Sequence, residues 1–461
     1  MKHALDSEPL TETPTRQTIL LATDNRNESV DIADSLQTMG FDVVTSEYDG
    51  ERLRATPKNA PDAILFVFTD YIESTPAIIR ALRNHFNPKV PKIIGALTRA
   101  GNIDTSLFDS IIFPPAHISQ IANRVSSMIR LGEMEREVHR RIETVRKDFG
   151  QKYDLSENSL NKPFRILFVG KATPQFLVVI NALQEKNVEV VAAFTSFSAF
   201  DFLHERTFDA VVMNALESSE PALTISDTMR RNSRLFHVPT LLLVNPVKFT
   251  DHDLAYKKGA RDIISGESEA DVISGRILEL ANYHRIHEQL KAEFSSIGGE
   301  KCLDPTTGVF NEEFFASHLR RVCADLNRTN ESVSLLAIRP VPNSAFAISR
   351  PRVDAAIEQV GVMLRNLVRM QDIVARLEDD IFVIAFPGKN AAALQTVLNR
   401  ISGIVDCAAF ESGDAQNGPF TVLLETAIVE YMNKESSDML IGHAVAELTG
   451  EPIRIANTAA I

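Results

Sequence analysis

QTILLAT (17–23), FDVVTSE (41–47), DAILFVF (62–68), KIIGAL (92–97) and SIIFPP (110–115) are short apolar runs separated by stretches of helix-forming sequence. The same order returns as RILFVGK (165–171), VEVVAAF (188–194), DAVVMN (209–214), PTLLLVN (239–245) and RDIISG (261–266). Uniformly apolar runs of this length are strands buried on both faces. Their alternation with helices predicts a parallel sheet wrapped by helices. Each repeat holds five such βα units, so this part of the chain reads as a duplicated α/β domain.

The remaining sequence has a different grammar. A helix is predicted over 311–328, a strand at SVSLLAI (332–338) and a second helix over 353–369. A hairpin follows, with ARLEDD between IV and IFVIAF, then a helix over 389–405 and a strand pair around CAAF and PFTVLLETAIVEY. That order is α+β. The connectors are charged: residues 130–152 place Glu and Arg at i,i+4 spacing, as in an extended exposed helix or coiled-coil stalk. Residues 276–298 do so more weakly before the Gly298–Gly299 break. The expected boundaries are a disordered tail at 1–16, α/β domains at 17–131 and 164–285, helical linkers at 132–163 and 286–302, and the α+β domain at 303–456.

Composition narrows the class. The chain has 461 residues, 44% hydrophobic and 24% charged, which are globular values. With 48 basic against 61 acidic residues the formal charge is −13, which argues against nucleic acid or anionic membrane as a general partner. No apolar run reaches the ~18 residues of a membrane span, so no membrane insertion and a cytoplasmic location are expected. Cys302, Cys323 and Cys407 form no CxxC and are expected to be buried thiols. The eleven histidines are scattered. Phe194, Phe197, Phe200 and Phe202 sit at near-helical spacing and are expected to fill a core.

Thr23–Asp24, Val67 and Phe113–Pro114 stand at the ends of the first, third and fifth strands of the first repeat. Gly170–Lys171 and Asn214 stand at the first and third strand ends of the second. Both repeats resemble two-component receiver domains, which implies a CheY-like (flavodoxin-like) five-stranded parallel sheet. The resemblance also implies an acidic pair for Mg²⁺ after strand one, a phosphoacceptor Asp after strand three and a Lys after strand five. Neither repeat keeps that set. Phosphoryl transfer needs a carboxylate nucleophile and a bridging metal, so no phosphoacceptor is expected: its positions hold Val67 and Asn214. Asp70 is a carboxylate near the first site.

DPTTGVFN (304–311) and RLEDDIF (376–382) resemble the DxLTGLxNR and RYGGEEF motifs of the GGDEF family of diguanylate cyclases, and the resemblance covers nearly all of 303–455. It implies an α+β, nucleotidyl cyclase-like fold. With two receiver-like domains in front, the whole chain resembles response regulators of REC–REC–GGDEF architecture. The family's hairpin glycines let backbone approach nucleotide phosphates; here Glu378 and Asp379 occupy them, followed by Asp380. The position of the metal-binding Asp falls near Ile338, and HAVAELTGEP (443–452) offers no phosphate-holding Lys or Arg. Asp354 matches a guanine-recognising Asp. Glu378, Asp379 and Asp380 are therefore read as vestigial, with no catalytic residue and no catalytic metal.

Arg369-Met370-Gln371-Asp372 lies five residues before Glu378, and Arg400 lies eighteen residues after Phe382. By resemblance these three charged residues, Arg369, Asp372 and Arg400, match the family's inhibitory RxxD site for cyclic di-GMP. An Arg fork suits guanine O6 and N7, and a carboxylate accepts from the guanine N1–H and N2–H₂ edge. A second RxxD match, Arg376–Asp379, falls inside the hairpin. The reading is a cyclic di-GMP effector, expected to dimerise through its receiver domains and to act on protein partners. By resemblance such partners are adaptors for regulated proteolysis or cell-cycle factors, with a polar or complex-associated location. Two other readings stand beside it: an active diguanylate cyclase condensing two GTP with Mg²⁺, and a ligand-free dimeric scaffold.

Overall fold

The fold is that of a computed structural model, which describes residues 16–48, 53–68, 75–87, 89–97, 105–114, 116–151, 162–329, 331–344, 346–412, 418–431 and 435–450. The first repeat forms β1 (Thr18–Thr23), α1 (Arg26–Thr38), β2 (Asp42–Glu47), β3 (Ala63–Phe68), α2 (Thr75–His85), β4 (Lys92–Leu97) and β5 (Ser110–Ile112), then enters the long helix α3 (Ile118–Asp148). Its strands are all parallel, in the order β2-β1-β3-β4-β5. All six residues of β3 are buried, as an uninterrupted apolar run at the centre of a covered sheet should be.

The second repeat forms β6 (Arg165–Val169), α4 (Pro174–Glu185), β7 (Glu189–Ala193), α5 (Ser196–Glu205), β8 (Ala210–Ala215), α6 (Glu220–Arg231), β9 (Thr240–Val244), α7 (His252–Lys257), β10 (Asp262–Ser265) and α8 (Ala270–Ser296). Its order, β10-β9-β8-β6-β7, is the first sheet's order read from the other edge, so the duplication extends to topology. Both are the 2-1-3-4-5 arrangement of flavodoxin-like folds. Local signals set the helix starts: Thr173 caps α4 ahead of Pro174, and Thr195 with Ser198 closes a capping box on α5.

The rest forms α9 (Gly299–Cys302), β11 (Phe310–Asn311), α10 (Glu312–Thr329), β12 (Val333–Asn343), α11 (Arg350–Leu367), β13 (Ile373–Arg376), β14 (Phe382–Pro387), α12 (Ala391–Asp406), β15 (Thr421–Glu430) and α13 (Ser437–Thr449). The sheet runs β11-β13-β14-β12-β15 and is mixed: β11 pairs parallel with β13, and the other pairs are antiparallel. The chain divides into two compact units, one of Gln17–Gly132 with Leu155–Glu293 and one of Glu133–Asp154 with Phe294–Ile461. In the first unit the two doubly wound sheets are joined through polar contacts. Gln120 donates to Asp262 (2.6 Å), and Arg124 donates to Ser110 (2.6 Å) and Glu279 (2.7 Å).

Several expectations change. The charged connector is not an exposed stalk. Met134, Glu137, Val138, Arg141, Thr144 and Val145 are buried, because the Glu and Arg spacing also places a continuous inner face that packs within the second unit. Phe200 and Phe202 pack against the core, but Phe194 and Phe197 are 63% and 76% exposed; they stand before and at the first turn of α5, where the chain has left the sheet. Cys302 and Cys323 are buried, whereas Cys407 is exposed at the end of α12. CAAF forms a single bridge, Phe410 to Phe420, and not a strand. The tail through residue 15, Asp70 and the linker stretch 152–161 lie outside the described residues.

Candidate functional site

The RxxD segment is a turn between α11 and β13. Helix α11 ends when Val368 turns extended. The backbone N–H of Asp372 then donates to Arg369 O (3.0 Å), and Asp372 Oδ2 accepts the backbone N–H of Arg369 (2.8 Å). The carboxylate thus closes its own turn, an Asx-type use of a short acidic side chain. The Arg369 side chain is exposed. From α12, Arg400 Nη2 donates to Leu367 O (2.9 Å), so Arg400 reaches the C-terminus of α11 two residues before Arg369.

Helix α3 holds the other side of this turn. Arg141 Nη2 donates to Met370 O (2.9 Å) and to Asp372 O (3.1 Å), and Gln371 donates to Glu133 (3.2 Å). Arg141 is itself fixed by Glu137 (2.7 Å), which also meets His318 of α10 (3.0 Å). Burial works against ionisation of Glu137, yet the His318 ring, by its charge and hydrogen bond, and then Arg141 and Arg140 hold it down to about 2. Burial pushes Asp372 up to about 7; the Arg369 amide and guanidinium oppose this, and Glu133 adds to it. Arg141, Glu133 and Glu137 were missed by the sequence reading, where the linker charges looked solvated. A charged residue repeating on the apolar face of that helix was the available signal.

The hairpin is a separate feature. Arg376 pairs with Phe382 across β13 and β14, and the Leu377 N–H closes the loop onto Ile381 O (2.9 Å). Arg376 donates from Nε to Asp379 O (3.2 Å) and from Nη1 to Thr306 (2.8 Å). Asp304 accepts from the Thr307 amide (2.9 Å) and hydroxyl (2.6 Å). The second RxxD match is therefore an internal clasp that ties the hairpin to the DPTTG loop. Gly308 belongs to that loop with φ +68, and a Cβ there would lie 2.9 Å from Arg365 Nη1. Glu378 and Asp379 are exposed and Asp380 is half-buried. Ile338 is fully buried in β12 opposite Phe382. Asp354 pairs with Arg350 (2.8 Å) one turn earlier in α11. The structure brings Arg369, Asp372 and Arg400 to one end of α11, and it keeps the hairpin acids apart from them.

The receiver-type positions carry other chemistry. Val67 is buried and pairs with Thr23. Thr23 Oγ1 accepts the Asn25 N–H (3.0 Å), Asp24 is exposed, and Phe113 packs on the core. In the second domain Asn214 donates from Nδ2 to Lys171 O (2.7 Å) and accepts the Leu216 N–H at Oδ1 (3.1 Å). Gly170 has φ +120, and a Cβ there would approach Asn214 Cβ to 2.9 Å. Lys171 pairs with Glu217 (2.8 Å). Among the described residues no three His, Cys, Asp or Glu side chains gather as a metal site, and no helix is long and apolar enough to cross a membrane.

A search of curated proteins gave no match. Among solved structures, the FimX GGDEF domain from Pseudomonas aeruginosa is similar at 19% identity and a TM-score of 0.28, over 32% of this chain and 93% of that one. The DgcB GGDEF domain from Caulobacter crescentus, in complex with c-di-GMP, aligns at 18% identity and a TM-score of 0.29, over 33% of this chain and 87% of that one. A response regulator from Thermotoga maritima aligns at 24% identity and a TM-score of 0.23, over 26% of this chain and 98% of that one. Residues 301–450 match the family described as "Diguanylate cyclase, GGDEF domain". The chain thus carries a GGDEF domain at 301–450, behind two CheY-like five-stranded parallel-sheet domains.

Proposed function

We propose that this protein is a cyclic di-GMP effector whose GGDEF domain does not make the nucleotide. One observation carries the reading. The turn at the end of α11 presents an exposed Arg369 beside the Asp372 carboxylate, with Arg400 arriving at Leu367 O. A guanine offers two acceptors to a guanidinium and an N–H edge to a carboxylate, so this set suits a guanine ligand. The inactive-cyclase half rests on Glu378 and Asp379 at the hairpin and on apolar Ile338 in β12, where charge and bulk oppose a triphosphate and its metal.

The domains run 17–131, 164–285 and 303–456 in this reading, with helical linkers at 132–163 and 286–302. Val67 and Asn214 stand where a phosphoryl group would go, so the receiver domains dock and dimerise and do not titrate with phosphate. Ligand binding is passed to protein partners in the cytoplasm, a role like that of PopA-type regulators in cell-cycle control or regulated proteolysis.

Two assays on the intact protein test this. With GTP and Mg²⁺ no cyclic di-GMP should form; turnover abolished by Asp380→Ala would overturn the inactive assignment. In calorimetry cyclic di-GMP should bind, Arg369→Ala should weaken it by about 1.5–3 kcal/mol, and Arg376→Ala should change it little. Equal affinity in wild type and Arg369→Ala removes the effector reading.

A further inference from the structure

The second doubly wound domain contains a cavity of about 600 Å³ at the N-terminal ends of its strands, beneath α8. Asn214 and Gly170 lie at the opposite, C-terminal ends. The volume falls within the ~300–1,000 Å³ of small-molecule sites. Its floor is apolar, formed by Leu203, Phe208 and Leu235, all under 5% exposed.

Its walls are cationic in a chain whose net charge is −13. The three carboxylates that line it are engaged: Glu189 with Arg165 (2.8 Å), Asp209 with Arg285 (2.7 Å) and Glu288 with Lys291 (3.5 Å). Three further cations, Lys162, Arg206 and Arg234, have no carboxylate within 4 Å among the described residues. Arg234 uses Nη2 on His204 O (2.8 Å), and Arg206 lies 5.9 Å over the Phe202 ring. Neither contact neutralises the charge.

A buried polar group also lines the cavity. His284 is 8% exposed, and its Nδ1 is closed to solvent and has no hydrogen-bond partner, a condition that costs free energy. His237, which also lines the cavity and meets the His287 ring (centroids 4.6 Å), is held neutral, since burial and its cationic neighbours push its pKa down to about 3. Uncompensated cations, a buried imidazole lacking a partner and an apolar floor together describe a receptor for an anion with an organic body.

We propose that this cavity binds a phosphorylated small molecule of mononucleotide size, with Lys162, Arg206 and Arg234 on the phosphate and His284 in the cavity wall. The site is independent of the Arg369 turn. The probes are guanosine 5′-monophosphate, inorganic pyrophosphate and, as the phosphate-free control, guanosine, each titrated into the full chain by calorimetry. Imidazole resonances are followed by NMR. Both phosphates should bind and shift the His284 signal, and guanosine should bind at least about tenfold more weakly. Arg206→Gln with Arg234→Gln should weaken both phosphates at least about tenfold at unchanged circular dichroism, whereas Arg369→Ala should leave them unaffected. Absence of binding by both phosphates overturns the proposal. So does equal binding by guanosine, or equal phosphate affinity in the folded double variant.

Discussion

Replacing Arg141 by Ala should destabilise the turn that carries Arg369 and Asp372 by about 3 kcal/mol. Arg141 is 4% exposed; its guanidinium bonds Glu137 (2.7 Å), Met370 O (2.9 Å) and Asp372 O (3.1 Å), and lies 4.7 Å over Phe294 and 5.1 Å over Phe310. Truncation leaves the Glu137 carboxylate in a nearly closed environment and strips two backbone carbonyls of their donor. Removing one partner of a buried pair costs about 3–5 kcal/mol. Glu137 keeps Arg140 at 3.7 Å and His318 at 3.0 Å, which puts the expected loss at the low end. Because the chain has two units, a single melting curve is not a clean measure. Amide hydrogen exchange of the intact protein is, read over residues 369–376 and α10. Exchange there should accelerate by about two powers of ten. The double variant Glu137→Gln with Arg141→Met should lose less than Arg141→Ala, since it leaves no buried charge unpaired. Exchange in that segment unchanged within about 0.5 kcal/mol would refute the clasp.

Asp372 carries a pH prediction: with its carboxyl pushed up to about 7, cyclic di-GMP affinity should rise about tenfold from pH 6 to pH 8 as the guanine-accepting form appears. Calorimetry on Asp372→Asn should show weaker binding without that slope, and a flat wild-type profile refutes the role. A carboxyl whose folded pKa lies above its unfolded value holds its proton more tightly when folded, so in the absence of ligand this group's ionisation lowers stability as pH rises from about 4 to about 7. Acetyl phosphate should leave both doubly wound domains unmodified, since neither Val67 nor Asn214 can form an acyl phosphate; a phosphoryl mass gain mapped to Asp24 or Asp70 would show a different strand register. Gly361→Ala should lower the GGDEF domain's stability by about 1–3 kcal/mol, measured by exchange in α11. The added Cβ would lie 2.7 Å from Thr307 Cγ2 and 2.8 Å from Phe382 Cε1.

Strand positions in both repeats were legible because a doubly covered parallel strand must be apolar throughout, and a run such as AILFVF can satisfy no other place in the fold. Duplication, domain order and the hairpin followed from the same local patterns. So did the register of Arg369 and Asp372 against Glu378, because spacing along one chain survives folding. Contacts between distant segments did not. Arg141 and Met370 lie 229 residues apart, and nothing in the linker's i,i+4 charges says that one face is to be buried. Phe194 and Phe197 have the composition of a core and the location of a surface. The cavity under α8 is assembled from the first residues of strands, a helix end and α8 itself, each polar for reasons that look local. Sequence period determines which face of an element is apolar. Which charges lose their water, and which cations are left without a carboxylate, depends on what folds against that face, and that is decided only when the elements meet.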